Sequence, residues 1–195
     1  MTEPRILAFA GSARRASFNR RLLDCAARLA DDAGGSTTVI NLGDYPLPLF
    51  NQDEERDNGP PENVKRLKSL FRKHNGLLIA APEYNSSITP LLKNTFDWVS
   101  RKSADEAPMS AYAGKTAAII SASPGRLGGM RGLVHVRAIL NNLGVLVLPG
   151  QLCIARAGEA FDDSGSLVSE HYQKSLGDLM VQLVTTLSHL RTSGT

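Results

Sequence analysis

The sequence predicts a doubly wound α/β fold, a parallel sheet covered by helices on both faces. Three observations carry that prediction. Short apolar runs alternate with amphipathic helical patterns along the chain. The runs are continuously apolar rather than alternating, as strands buried on both faces must be. The segments after the first, third and fourth runs are unusual in composition, and in such sheets ligands bind beyond the carboxyl ends of the strands.

Taken in order, residues 5–10 read as a buried strand closed by Gly11. Residues 17–32 follow as a helix, with Leu22, Cys25, Ala26, Leu29 and Ala30 at helical spacing and Gly34-Gly35 as its stop. Residues 37–42 are β-branched at the start and read as the second strand. A turn-rich loop occupies 43–61. Residues 62–74 place Val64, Leu67, Leu70 and Phe71 on one helical face, and 76–82 form an apolar third strand. Thr89 is placed to cap a helix over 90–101, with Pro90 in its first turn. A fourth strand is predicted over 115–121, a helix over 130–142 and a fifth strand over 145–148. A long helix over 167–190, weakened near Gly177, closes the chain. With 195 residues and no linker or repeat, residues 1–195 are expected to form a single domain.

Composition narrows the function classes. Hydrophobic residues at 42% and charged residues at 21% are ordinary for a globular protein. A net charge of +3 is too small to point to nucleic acid. No stretch approaches the roughly 18 apolar residues of a membrane helix, and the run over 6–10 is too short for a signal peptide. Cys25 and Cys153 lie far apart and outside any CxxC or Cys/His cluster, which argues against a disulfide framework or a zinc site. A cytoplasmic location is the expectation.

The first loop, 11–19, joins a strand end to a helix start, where main-chain N–H groups and the helix dipole favour an anion. Ser12, Ser17 and Asn19 add neutral donors, and Arg14 or Arg15 can add charge-assisted hydrogen bonds. This donor set suits a phosphate monoester. The same residues also fit a plain helix cap with solvated arginines. Neither GxxxxGK[ST] nor GxGxxG is present, so neither a P-loop NTPase nor a Rossmann dinucleotide site is indicated.

The second loop, Pro82-Glu83-Tyr84-Asn85, offers an aromatic surface and an amide head between two prolines. A rigid turn with Tyr84 in the core is the competing reading. The third loop, 121–132, contains Ser123, Gly125, Gly128 and Gly129, and its glycines allow close approach of backbone to a ligand. An unliganded flexible loop would have a similar composition.

Together, GSxRxxSxN after the first strand, PEYN followed by LKNxxDW after the third, and SxxPGxxGG after the fourth resemble the NADPH-dependent FMN reductase family. That family has a flavodoxin-like fold and includes quinone, chromate and azo-dye reductases. The segment 45–53 resembles its loop after the second strand. The resemblance runs from Ile6 to about Leu148, and the ordered combination of motifs is what makes it specific. It implies a three-layer sandwich with strand order 2-1-3-4-5.

The resemblance further implies that Ser12, Arg14, Ser17, Phe18 and Asn19 hold the FMN phosphate. Pro82, Glu83, Tyr84 and Asn85 would border the isoalloxazine ring, with Ser123 and Gly125 to Gly129, Gly128 included, on its other side. NADPH or NADH would be the electron donor and a small molecule the acceptor, in a ping-pong two-electron reduction. Quinones, azo compounds, chromate-like oxyanions and free flavin all fit such a site. The helix Leu91–Arg101, with Trp98, would make a homodimer or homotetramer interface. Ser86-Ser87 departs from relatives with an aromatic directly after PEYN. Arg126 and Arg131 are candidates for the 2′-phosphate of NADPH, and the four histidines are read as surface or packing. A flavodoxin-type electron carrier and a non-enzymatic flavin sensor are the alternatives.

Overall fold

The structure is a computed structural model that describes residues 4–102, 106–107 and 109–192. The first three residues lie outside the described residues. Five parallel strands, β1 (Arg5–Ala10), β2 (Ser36–Ile40), β3 (Gly76–Ala80), β4 (Thr116–Ala122) and β5 (Leu146–Ile154), form one sheet. Their order is β2-β1-β3-β4-β5. The helices are α1 (Phe18–Asp32), α2 (Gln52–Asn58), α3 (Glu62–Lys73), α4 (Pro90–Ser100), α5 (Met130–Asn142) and α6 (Glu170–Thr192).

Strand side chains alternate between two separate cores. Ile6, Ala8, Leu78 and Ile120 face α1 and α6, packing with Leu22, Ala26, Leu176 and Leu183. Leu7, Phe9, Ile79 and Ile119 face α3, α4 and α5, packing with Leu67, Phe71, Phe96 and Val136. Both faces are therefore dry, which is why the central strands lack an alternating polar pattern.

Several boundaries differ from the sequence expectation. The second strand stops at Ile40 because the Asn41 side chain accepts from Gly43 N and starts a short 3₁₀ turn, Leu42–Asp44. Residues 52–58, read as loop, form α2, capped by Asn51 with three acids in its first turn. No residue of α2 is buried, so it carries no apolar periodicity to detect. The fifth strand runs to Ile154, well past 148, through a register shift opposite Ala117/Ile119. At that irregularity the Arg137 guanidinium donates to Leu148 O at 2.7 Å and to Gln151 Oε1 at 3.0 Å. Unpaired groups of an edge strand are thereby covered. The last helix is continuous through Gly177, because Leu176, Leu179, Met180 and Leu183 hold it on the core.

The loop between β2 and α2 lies across α4. Trp98 Nε1 and Asn94 Nδ2 both donate to Pro48 O, at 2.8 and 2.9 Å, and Phe50 N donates back to Asn94 Oδ1. Phe50 meets Trp98 edge-on with ring centroids 5.0 Å apart. Trp98 is thus buried in the chain's own core and presents nothing to a partner.

Candidate functional site

The strand order reverses direction between β1 and β3, so the first loop and the second leave the sheet there on opposite courses. Five contacts lock the three predicted loops to one another and to the segment after β5. Gly11 N donates to Ala80 O at 2.9 Å, and Thr89 Oγ1, besides capping α4, donates to Gly11 O at 2.7 Å. Ser121 Oγ donates to Ala81 O at 2.7 Å. The Asn19 amide donates to Ala122 O at 2.7 Å and accepts from Ala122 N at 3.0 Å. Ala157 N donates to Ser123 O at 3.0 Å. A Cβ at Gly11 would stand 3.1 Å from that of Leu92 and 3.2 Å from Pro82 Cδ, so α4 and the second loop crowd this position.

In the first loop Ser17 caps α1 by accepting from Arg20 N, and its side chain is buried with those of Ser12 and Asn19. The N–H groups of residues 15–19 find no acceptor among the described residues, and Arg14 N reaches Ser12 Oγ at 3.3 Å. The guanidinium groups of Arg14 and Arg15 are exposed and form no ion pair there. Phe18 turns inward, its ring parallel to Phe161 at 6.5 Å, with Arg21 over the other ring.

The second loop is a tight hairpin. Tyr84 and Ser87 exchange both main-chain hydrogen bonds, at 2.9 and 3.0 Å, and Asn85 and Ser86 between them have φ of 50° and 66°. Positive φ at both central positions is the type I′ pattern. It leaves the Asn85 side chain at the exposed tip and Tyr84 47% exposed, so Tyr84 is not a core residue. Glu83 turns the other way. Its carboxylate accepts from Arg131 Nε and Nη2 at 3.0 and 2.8 Å and from Gly132 N at 3.0 Å. Gly129 cannot cap α5 with a side chain, so Glu83 does so from a neighbouring loop. Burial raises the Glu83 pKa, but the Gly132 N–H and the Arg131 guanidinium outweigh it and hold the carboxyl below its usual value.

In the third loop the glycines divide into two kinds. A Cβ at Gly129, where φ is +91°, would fall 1.9 Å from Ser121 Oγ. One at Gly128 would lie 2.9 Å from main-chain atoms of residues 153–155. Those two are glycine because protein atoms fill the space. Gly125 differs: a Cβ there meets only Ser123 Oγ at 3.6 Å, so its outer side is open.

The structure therefore gathers Ser12, Arg14 and Ser17 in one loop, Tyr84 and Asn85 at a second tip, and Ser123 and Gly125 at a third. Asn19 and Glu83 belong to the same cluster, but their side chains tie loops together. Sequence reasoning missed Thr89 and Ser121 as ties, and the 155–161 segment that packs on the first loop. Phe161 carries the one signal that was available, an aromatic in an otherwise polar stretch. Of the arginines considered for a 2′-phosphate, Arg131 is held by Glu83, whereas Arg126 is exposed and unpaired among the described residues.

A sequence model described as NADPH-dependent FMN reductase matches residues 4–159. The chain belongs to the NADPH-dependent FMN reductase family. It is 34% identical to an NAD(P)H-dependent FMN reductase of Pseudomonas aeruginosa over 188 residues, 96% of this chain and 97% of that one. It is 34% identical to a 2-hydroxy-1,4-benzoquinone reductase of Burkholderia over 177 residues, covering 90% and 92% of the two chains. Among solved structures it is similar to FerB, a flavoenzyme NAD(P)H:(acceptor) oxidoreductase from Paracoccus denitrificans. That match has a TM-score of 0.78 and 26% identity over 95% of this chain and 98% of that one.

The donor chemistry fits the family's FMN. N–H groups without acceptors among the described residues, two hydroxyls and two exposed arginines are the donor types that a dianionic phosphate requires. Among the described residues no group of three or more His, Cys, Asp or Glu could hold a metal ion. Among the described residues no helix is long and apolar enough to cross a membrane. Burial pushes the partly exposed Cys153 thiol up to about 11, with Glu83 adding to the effect, so it is a poor nucleophile.

Proposed function

We propose that this chain is a ping-pong NAD(P)H oxidoreductase that uses FMN to reduce quinone-class acceptors. The observation that carries the proposal is the set of N–H groups at residues 15–19 that, like Arg14, find no partner among the described residues, at the switch point of the sheet. In this reading Ser12, Arg14, Ser17 and the main chain of Phe18 and Asn19 hold the phosphate. Pro82, Tyr84 and Asn85 border the ring on one side, and Ser123 with the open face of Gly125 on the other. Glu83, Asn19, Gly128 and Gly129 act by fixing the loops.

FMN held by these residues would supply the two-electron redox chemistry between NAD(P)H and the acceptor. The chain's part is to orient the ring and to place amide donors where negative charge develops. Its loops are locked before any ligand arrives, so little ordering accompanies binding. Azo compounds, chromate-like oxyanions and free flavin are further acceptors that an exposed hairpin tip would admit. Association of copies through residues 91–101 would use the outer face around Lys93 and Asp97, because Trp98 is buried.

Initial rates of NADPH oxidation at several fixed benzoquinone concentrations test the proposal. Parallel double-reciprocal lines are expected. Intersecting lines would rule out the ping-pong order, and absence of turnover by FMN-loaded protein would rule out the reductase reading.

A further inference from the structure

A cavity of about 410 Å³ is lined by the segment after β5 and the start of α6, and Arg156 in its lining donates its N–H to Gly125 O of the third loop. Its volume falls within the about 300–1,000 Å³ usual for small-molecule sites. Ala160, Val168 and Tyr172 form an apolar wall, and Arg156 and Glu159 stand at the edge. Arg156 has φ +48°, a conformation that residues other than glycine rarely adopt. It is pinned there because its N–H donates to Gly125 O at 3.2 Å and its carbonyl accepts from Glu159 N at 2.9 Å. The tight turn places Arg156 and Glu159 in the lining of one cavity with the Tyr172 ring, and the Arg156 main chain is tied to Gly125 of the third loop. Both charged side chains are exposed, and neither has a partner among the described residues. Val168, in the wall, is 59% exposed. A strained backbone that holds unpaired charges at the mouth of a cavity has the character of a binding feature.

We propose that this cavity takes the adenosine half of the nicotinamide dinucleotide, with Arg156 and Glu159 setting the choice between NADPH and NADH. The proposal rests on the reductase reading above, because only an NAD(P)H-consuming site has such a ligand to place. The chemistry matches group by group. A flat apolar base packs on Tyr172 and Val168. The guanidinium meets the 2′-phosphate that NADPH carries and NADH lacks. The carboxylate accepts from the ribose 2′-hydroxyl of NADH and repels the 2′-phosphate of NADPH, the two roles that acidic and basic residues divide in other dinucleotide sites. A chain that carries both groups is expected to use both donors, and each group alone biases one of them.

The test uses full-length protein, with and without added FMN, and two exposed-site variants, Arg156→Gln and Glu159→Gln. Calorimetric titration with adenosine 2′,5′-bisphosphate reads the cavity without any turnover. Wild type should bind it in the FMN-loaded state. Arg156→Gln should weaken that binding about tenfold, the loss of one charge-assisted contact, and Glu159→Gln should strengthen it severalfold. The ratio of NADPH to NADH kcat/KM should move in the same two directions, with FMN affinity unchanged. No bisphosphate binding by wild type, or equal binding by all three proteins, overturns the proposal. So does an Arg126→Gln variant that reproduces the Arg156→Gln effect, since the discriminating cation would then lie on the third loop. Failure to bind FMN would count against the flavin reading instead, and titration of the bare protein would still decide the cavity.

Discussion

Glu83→Gln is the substitution that separates loop-fixing from ligand-binding at this site. The Glu83 side chain is only 9% exposed, whereas Arg131 is 55% exposed, so solvent screens their ion pair and it contributes about 0.5–1 kcal/mol. The bond from Gly132 N is better shielded and charge-assisted, and it contributes about 1.5–3 kcal/mol. Glutamine keeps a neutral acceptor for Gly132 N, so Glu83→Gln should cost about 1–2 kcal/mol. Glu83→Ala leaves that N–H unpaired and should cost about 3 kcal/mol. Arg131→Met should cost no more than about 1 kcal/mol.

Urea unfolding of the three variants measures these values. The pH dependence supplies a second check. The folded pKa of Glu83 lies below its unfolded value, so its contribution is complete above about pH 4.3. It disappears as pH falls through the folded pKa, and wild type and Glu83→Gln should converge there. An Arg131→Met loss as large as that of Glu83→Ala would refute the claim that the main-chain cap, and not the ion pair, holds the second loop to α5.

Other consequences follow from the same contacts. Gly129→Ala should cost about 3 kcal/mol or more in thermal or urea unfolding, combining an unfavourable φ with displacement of the buried Ser121–Ala81 bond. Adding Ser121→Ala should recover only part of it, because Ser121 Cβ also stands 2.9 Å from the new methyl. Asn19→Leu removes both partners of Ala122 and should cost about 2–4 kcal/mol, weakening FMN at the same time. Lys115, buried and donating to His74 O, is held near a pKa of about 8 by burial, with Arg5 adding to the shift. Between pH 8 and about 10.4 the unfolded chain binds more protons there than the folded one. Wild type should therefore gain stability over Lys115→Met as pH rises through that window, and a constant difference would contradict the assignment.

The fold was legible because each central strand is apolar on both faces and each long helix but the last announces its ends. Ser17 and Thr89 cap where the sequence places them, and α5 matches its predicted span. What was illegible had no local signal. α2 buries nothing, the extension of β5 depends on Arg137 reaching across from α5, and the last helix runs through Gly177 on tertiary contacts. At the site the sequence shows which residue types cluster, but not which way they turn. Asn19 and Glu83 look like ligand donors in the sequence, and the structure spends both on protein. Gly128 and Gly129 look like room for a ligand, and β5 and Ser121 occupy that room. The 155–161 segment escaped notice because it meets the first loop only through the folded sheet.

The most direct test of the central claim is fluorescence titration of the apo-protein with FMN and riboflavin, repeated on Arg14→Ala. The two ligands differ only in the phosphate for which the 15–19 N–H groups and Arg14 are arranged. The account predicts tight FMN binding by wild type, riboflavin binding weaker by at least tenfold, and an Arg14→Ala loss confined to FMN. Equal affinity for both ligands, or an equal loss of both in Arg14→Ala, would contradict it.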